Sequence, residues 1–127
     1  MAGEKILIAE DEQDIQKVIK ITLKFKGGFD VSFASNGLEV LEQVKREKPR
    51  LIILDVMMPR MDGYETCRRL KADADTASIP VVFLTAKAQE KEIEEGLKLG
   101  AIDYIKKPFE PDEFVAKVKS ILARISG

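Results

Sequence analysis

An α/β domain built on a five-stranded parallel sheet is what the sequence predicts. Two observations carry this. Short apolar runs alternate five times with segments whose apolar residues recur at helical spacing, as in strands joined by crossover helices. The third run is the clearest: Leu51, Ile52, Ile53 and Leu54 lead straight into Asp55. Consecutive apolar residues with β-branching read as a strand buried on both faces.

In chain order, residues 5–9 form the first predicted strand, which ends in Glu10, Asp11 and Glu12. Ile15, Val18, Ile19, Thr22 and Leu23 then recur on one helical face, and Gly27 with Gly28 stops the helix. Residues 29–34 alternate apolar and polar, so this strand is expected half-exposed at an edge. Asn36 is placed to cap a helix carrying Val40, Leu41 and Val44, which ends before Pro49. After the 51–55 strand, Pro59 and the pair Asp62 and Gly63 mark a loop. A third helix runs from Tyr64 to about Lys71 with Cys67 and Leu70 inward, and residues 73–78 are a polar connection. Residues 80–84 make the fourth strand, followed by Thr85 and Ala86. Ile93, Gly96, Leu97 and Gly100 outline a weakly amphipathic fourth helix, and residues 102–105 a short fifth strand. Pro111 opens a last helix with Phe114, Val118, Ile121, Leu122 and Ile125 inward. With no linker, low-complexity tract or longer repeat, residues 1–127 read as one domain. Five strand–helix units fit the flavodoxin-like, doubly wound (βα)5 sandwich with strand order 2-1-3-4-5.

Composition narrows the function. The chain has 127 residues, 45% hydrophobic and 34% charged, with net charge −1, the make-up of a soluble globular domain. Lysines and arginines are dispersed among acids, so no basic block offers a footprint for nucleic acid or a membrane surface. No apolar run reaches membrane-spanning length, and the first residues do not read as a signal peptide. A single cysteine, Cys67, excludes an internal disulfide and fits a reducing cytoplasm. There is no histidine, which removes the commonest general base and most zinc sites. Chemistry must come from carboxylates, hydroxyls, amines and backbone.

A parallel sheet delivers the carboxyl end of every strand to one edge, where α/β proteins place their ligands. The first strand brings Glu10 and Asp11, the third Asp55, the fourth Thr85 and the fifth Lys107. Strands one and three are neighbours in the expected order, so three carboxylates crowd together. Two unit charges about 4 Å apart repel by about 4 kcal/mol at an effective dielectric near 20. Such acids raise their pKa values or hold a cation, and an all-oxygen site facing a crevice suits Mg²⁺. A carboxylate nucleophile can accept a phosphoryl group. That transfer needs positioning and charge neutralisation more than an acid–base pair. Lys107, the Thr85 hydroxyl and backbone N–H groups after Asp55 and at Ala86 supply both.

The motifs are Ile8-Ala9-Glu10-Asp11-Glu12, Asp55-Val56-Met57-Met58-Pro59 with Asp62-Gly63, Leu84-Thr85-Ala86, and Lys107-Pro108-Phe109. Together, in order and at the strand ends, they make the sequence resemble a receiver domain of bacterial two-component response regulators over residues 5–124. The resemblance implies that Asp55 is the phosphoacceptor. It implies that Glu10, Asp11, Asp55 and the Met57 carbonyl hold Mg²⁺, and that Thr85 and Lys107 bind the phosphoryl group. Tyr104 matches the aromatic whose inward or outward rotamer reports the state of the switch. Lys107-Pro108 resembles the family's cis peptide. The implied donor is a phosphohistidine on a sensor histidine kinase or a histidine phosphotransfer protein. The implied output is the face made by helix four, strand five and helix five. That face would engage a target protein or an output domain outside this sequence, with room for a phosphorylation-dependent dimer. The domain itself would be no enzyme beyond self-phosphorylation and slow self-dephosphorylation. Met57 and Lys87 would flank the path of the attacking water, and Met57 hydrogen-bonds water poorly, so slow dephosphorylation is expected.

Three rival readings are weaker. A phosphohydrolase with an aspartate nucleophile usually wants a second Asp two residues on, where Met57 stands. A flavin or nucleotide carrier needs a phosphate cradle after strand one, where Glu10, Asp11 and Glu12 would repel phosphate. A docking module independent of phosphorylation would not need the complete motif set.

Overall fold

In the computed structural model, residues 4–86 and 90–126 are described. The elements are β1 (Lys5–Ala9), α1 (Gln13–Ile21) with a π-helical turn (Thr22–Lys26), β2 (Asp30–Ala34), α2 (Gly37–Arg46), β3 (Leu51–Asp55), α3 (Gly63–Ala72), β4 (Val81–Thr85), α4 (Glu90–Lys98), β5 (Asp103–Lys106) and α5 (Pro111–Ser126). The strands pair in parallel in the order β2-β1-β3-β4-β5. The expected flavodoxin-like sandwich is therefore the observed fold.

Alternate residues of the central strands feed two cores, as the period of a strand requires. Ile6, Ile8, Ile53 and Leu84 pack with Ile19, Leu23, Phe114, Val118 and Ile121 from the α1 and α5 side. Leu7, Ile52, Leu54 and Phe83 pack with Val40, Val44, Cys67 and Leu70 from the α2 and α3 side. Burying each such aliphatic side chain stabilises the fold by about 1.5–3 kcal/mol relative to exposure.

Helix ends are set by local chemistry. Asn36 accepts from the Glu39 N–H at 3.0 Å, and the Glu39 carboxylate accepts from the Ser35 N–H at 3.0 Å, a reciprocal cap on α2. Asp62 caps α3 by accepting from the Glu65 N–H at 2.8 Å. After α4, Gly100 takes φ +107°. The Ala101 N–H then reaches the Gly96 carbonyl at 3.2 Å and the Gly100 N–H the Leu97 carbonyl at 3.1 Å, a Schellman stop.

Expectation and structure differ in detail. The first helix runs on through Lys26 before Gly27 and Gly28 end it. Val18 and Leu97, expected inward, are exposed. Each adjoins a better-buried neighbour (Ile19, Gly96), and helical spacing alone makes the inward face too wide. β4 begins at Val81 because Pro80 has no N–H to donate to the ladder. β5 is shifted one residue along, to Asp103–Lys106.

Candidate functional site

The β1–β3 pairing puts the residues that follow both strands side by side. β1 is prolonged by one ladder bond, from the Glu10 N–H to the Ala34 carbonyl at 2.9 Å. Glu10 is fully buried, and Asp55 is nearly so. Asp11, one residue on, is exposed. One carboxylate oxygen from each of Glu10, Asp11 and Asp55 lies within 4.8 Å of the other two.

Asp55 is held at both oxygens. Oδ1 accepts from the Met57 N–H at 3.0 Å, and Oδ2 from Lys107 Nζ at 2.6 Å. Lys107 Nζ also sits 2.6 Å from Glu10 Oε1, an ion pair without hydrogen-bond angles. The other Glu10 oxygen accepts from the Glu12 N–H at 3.1 Å. The Lys107 N–H bonds the Thr85 carbonyl at 2.9 Å, so the lysine enters the pocket from the end of β5. The peptide between Lys107 and Pro108 is cis.

Burial is the main reason the Glu10 carboxyl is pushed up to about 7; the Asp55 charge adds to the rise, while Lys107 and the Glu12 N–H oppose it. For Lys107, burial acts downward, but the bond to Asp55 and the contact with Glu10 outweigh it and raise its pKa. A single ammonium thus meets two buried acids, and a third, exposed acid lies beside them. The donor set is all oxygen and carries more negative charge than Lys107 neutralises, which fits a hard divalent cation.

The remaining expected residues are placed by the neighbouring strands. Thr85 ends β4 and is buried, with Ala86 exposed beyond it. Tyr104 on β5 is half-buried and lines a small cavity together with Thr85. Met57 is 59% exposed at the mouth, next to Asp55. Lys87 lies outside the described residues.

Two supports escape the sequence reading. Gln16 on α1 donates its side-chain amide to the Glu10 carbonyl at 2.5 Å; a glutamine on a polar helix face carries no signal of this. Gly63 reads in the sequence only as a loop marker. A Cβ there would stand 2.4 Å from the Asp55 carbonyl oxygen, and the Gly63 N–H bonds the Val56 carbonyl at 2.9 Å. The first turn of α3 therefore rests directly on the end of β3.

The family model of the response regulator receiver domain matches residues 6–119. The chain belongs to that family. The receiver is 45% identical over 122 residues to the alkaline phosphatase synthesis transcriptional regulatory protein PhoP of Bacillus subtilis, covering 96% of this chain and 50% of that protein. It is 43% identical over 124 residues to the phosphate regulon transcriptional regulatory protein PhoB of Pseudomonas aeruginosa, covering 98% of this chain and 54% of that protein. The receiver thus spans about half the length of the curated relatives it matches. Among solved structures, the receiver domain of Francisella response regulator 1452 superposes with TM-score 0.87 at 32% identity, over 97% of this chain and 99% of that one. The signal receiver domain of a histidine kinase from Syntrophus aciditrophicus gives 0.86 at 35% identity, over 97% and 92%. Receivers are signalling modules of two-component systems, generally without catalytic turnover of their own. Among the described residues, no helix is long and apolar enough to cross a membrane.

Proposed function

We propose that this receiver, read as the single domain 1–127, takes a phosphoryl group from a phosphohistidine donor onto Asp55. A carboxylate oxygen of Asp55 attacks phosphorus, the N–P bond to the donor imidazole breaks, and the imidazole keeps the electron pair. The product is an acyl phosphate. The observation that carries this reading is the buried Asp55 carboxylate, held by the Met57 N–H and Lys107. It is oriented before any donor arrives.

Glu10, Asp11, Asp55 and the Met57 carbonyl would hold Mg²⁺, which when bound neutralises charge on the phosphoryl oxygens. Lys107 swings from two carboxylate partners to one carboxylate and the incoming phosphoryl group. The Thr85 hydroxyl and the Ala86 N–H donate to the remaining oxygens. Phosphorylation raises the local negative charge to roughly two. Thr85 moves toward it, Tyr104 follows, and the α4–β5–α5 face is rebiased. That face would engage a target protein, an output domain in a longer chain, or a second phosphorylated copy. A sensor histidine kinase or a histidine phosphotransfer protein would be the donor, in the cytoplasm.

Acetyl phosphate with Mg²⁺ should label the purified protein once, as read by intact mass. Asp55→Asn should remove the label, and full labelling of that variant would sink the proposal.

A further inference from the structure

Among the described residues, one acid outside this pocket has a buried carboxylate oxygen without a hydrogen bond. Glu92 on α4 points one carboxylate oxygen, Oε2, away from solvent, and that oxygen makes no hydrogen bond. A buried carboxylate oxygen without a donor is unfavourable. Its surroundings are therefore informative. Glu92 lines the small cavity beneath α4 together with Val56, Phe83, Thr85 and Tyr104. Its charge is also felt by Tyr64 at the start of α3, where burial first, then Glu92, raises the phenol pKa.

Tyr104 stands at the boundary of two spaces. On one side is this inner cavity, and on the other an outer groove lined by Phe109, Glu113 and Lys117. Lys117 Nζ is 5.9 Å from the Tyr104 ring centroid. The inner cavity leaves only about 10 Å³ for a water centre, room for roughly one water. A phenol ring cannot enter without displacing α4 or Thr85. If it enters, its hydroxyl arrives as a donor in a mostly apolar cavity whose one buried acceptor without a hydrogen bond, among the described residues, is Glu92 Oε2.

We propose that Glu92 is a positioning residue of the switch, its free Oε2 accepting the Tyr104 hydroxyl when the ring turns inward beneath α4. The bond satisfies both groups at once and ties ring rotation to the position of α4, which carries Glu92. This rests on Asp55, Thr85 and Tyr104 acting as proposed above.

Beryllium trifluoride, as a phosphoryl mimic with Mg²⁺, tests it by linkage. A residue that stabilises the switched state must tighten binding of the mimic. Glu92→Ala should weaken that binding by about tenfold, the scale of one hydrogen bond to a charged group. Glu92→Gln, which keeps an acceptor, should recover most of the loss. With Tyr104→Phe already in place, Glu92→Ala should have less than about a twofold further effect. Thermal melts of the mimic-free variants confirm folding, with Glu92→Gln as the conservative standby. Equal weakening with and without Tyr104→Phe, or none in either background, overturns the role of Glu92. Failure of the unsubstituted protein to bind the mimic, or binding that survives Asp55→Asn, overturns instead the phosphoacceptor reading.

Discussion

Two lysine–glutamate pairs lie at opposite ends of β1, and they differ in almost everything but their chemistry. At the start of the strand, Lys5 meets Glu47 at 2.8 Å with side chains 49% and 60% exposed. Just beyond its end, Lys107 meets Glu10 at 2.6 Å with side chains 16% and 0% exposed. In the exposed pair each partner favours the other's charged form: Glu47 is lowered and Lys5 raised, chiefly by their mutual hydrogen bond. In the buried pair desolvation wins over attraction at the acid, and Glu10 rises to about 7. Contact distance alone says little about what an ion pair does. Water makes one pair close to neutral for the fold. Its exclusion turns the other into a charge imbalance that a cation would relieve.

Breaking each pair sharpens this contrast. Lys107→Met leaves two buried carboxylates facing each other. Removing one partner of a buried pair destabilises by about 3–5 kcal/mol. Urea denaturation without Mg²⁺ should show a loss of that order, and added Mg²⁺ should restore much of it. A loss that Mg²⁺ does not reduce would speak against a cation at Glu10, Asp11 and Asp55.

The next effect follows pH. Because the folded pKa of Glu10 lies above the ordinary carboxylate value of 4.5, the folded state binds the extra proton. Its stabilising contribution is complete below the unfolded value and is lost as pH rises through about 7. The metal-free protein should melt several degrees lower at about pH 8 than at about pH 6, and Glu10→Gln should flatten the difference. Mg²⁺ affinity should run the other way and increase through the same interval, since the ion competes with the proton.

Met57→Asn should speed loss of the phosphoryl group several-fold, measured by decay of the labelled mass, because the amide can orient water beside Asp55. An unchanged or slower decay would remove Met57 from that role. The smallest change belongs to the exposed pair: Lys5→Ala should leave the urea midpoint close to that of the parent. Any contribution from Glu47, whose pKa is lowered, is present above the ordinary value of 4.5 and fades as pH falls below it.

The sheet was legible because its central strands are buried on both faces. Leu51 to Leu54 admit few other readings, and the polar alternation of β2 correctly marked an edge. The candidate site was legible at strand ends, where Glu10, Asp55 and Thr85 follow apolar runs and Lys107 follows β5. What sequence could not supply was anything set by helix rotation or by a close approach of backbones. Val18 and Leu97 look like core residues until the helices take their actual pitch. Gln16 and Glu92 are ordinary polar residues on helices until packing aims them, one at the Glu10 carbonyl and the other into the cavity beside Tyr104.

Position 63 shows how little slack the pocket has. Even one methyl group there would meet the main-chain oxygen of Asp55 at 2.4 Å, about 1 Å inside an ordinary van der Waals contact. Relieving that overlap means prying the start of α3 off its support, and the nucleophile's own peptide would shift with it. An alanine that carries no reacting group would therefore mis-aim the acceptor, and a screen limited to ionisable and hydroxyl side chains would overlook it.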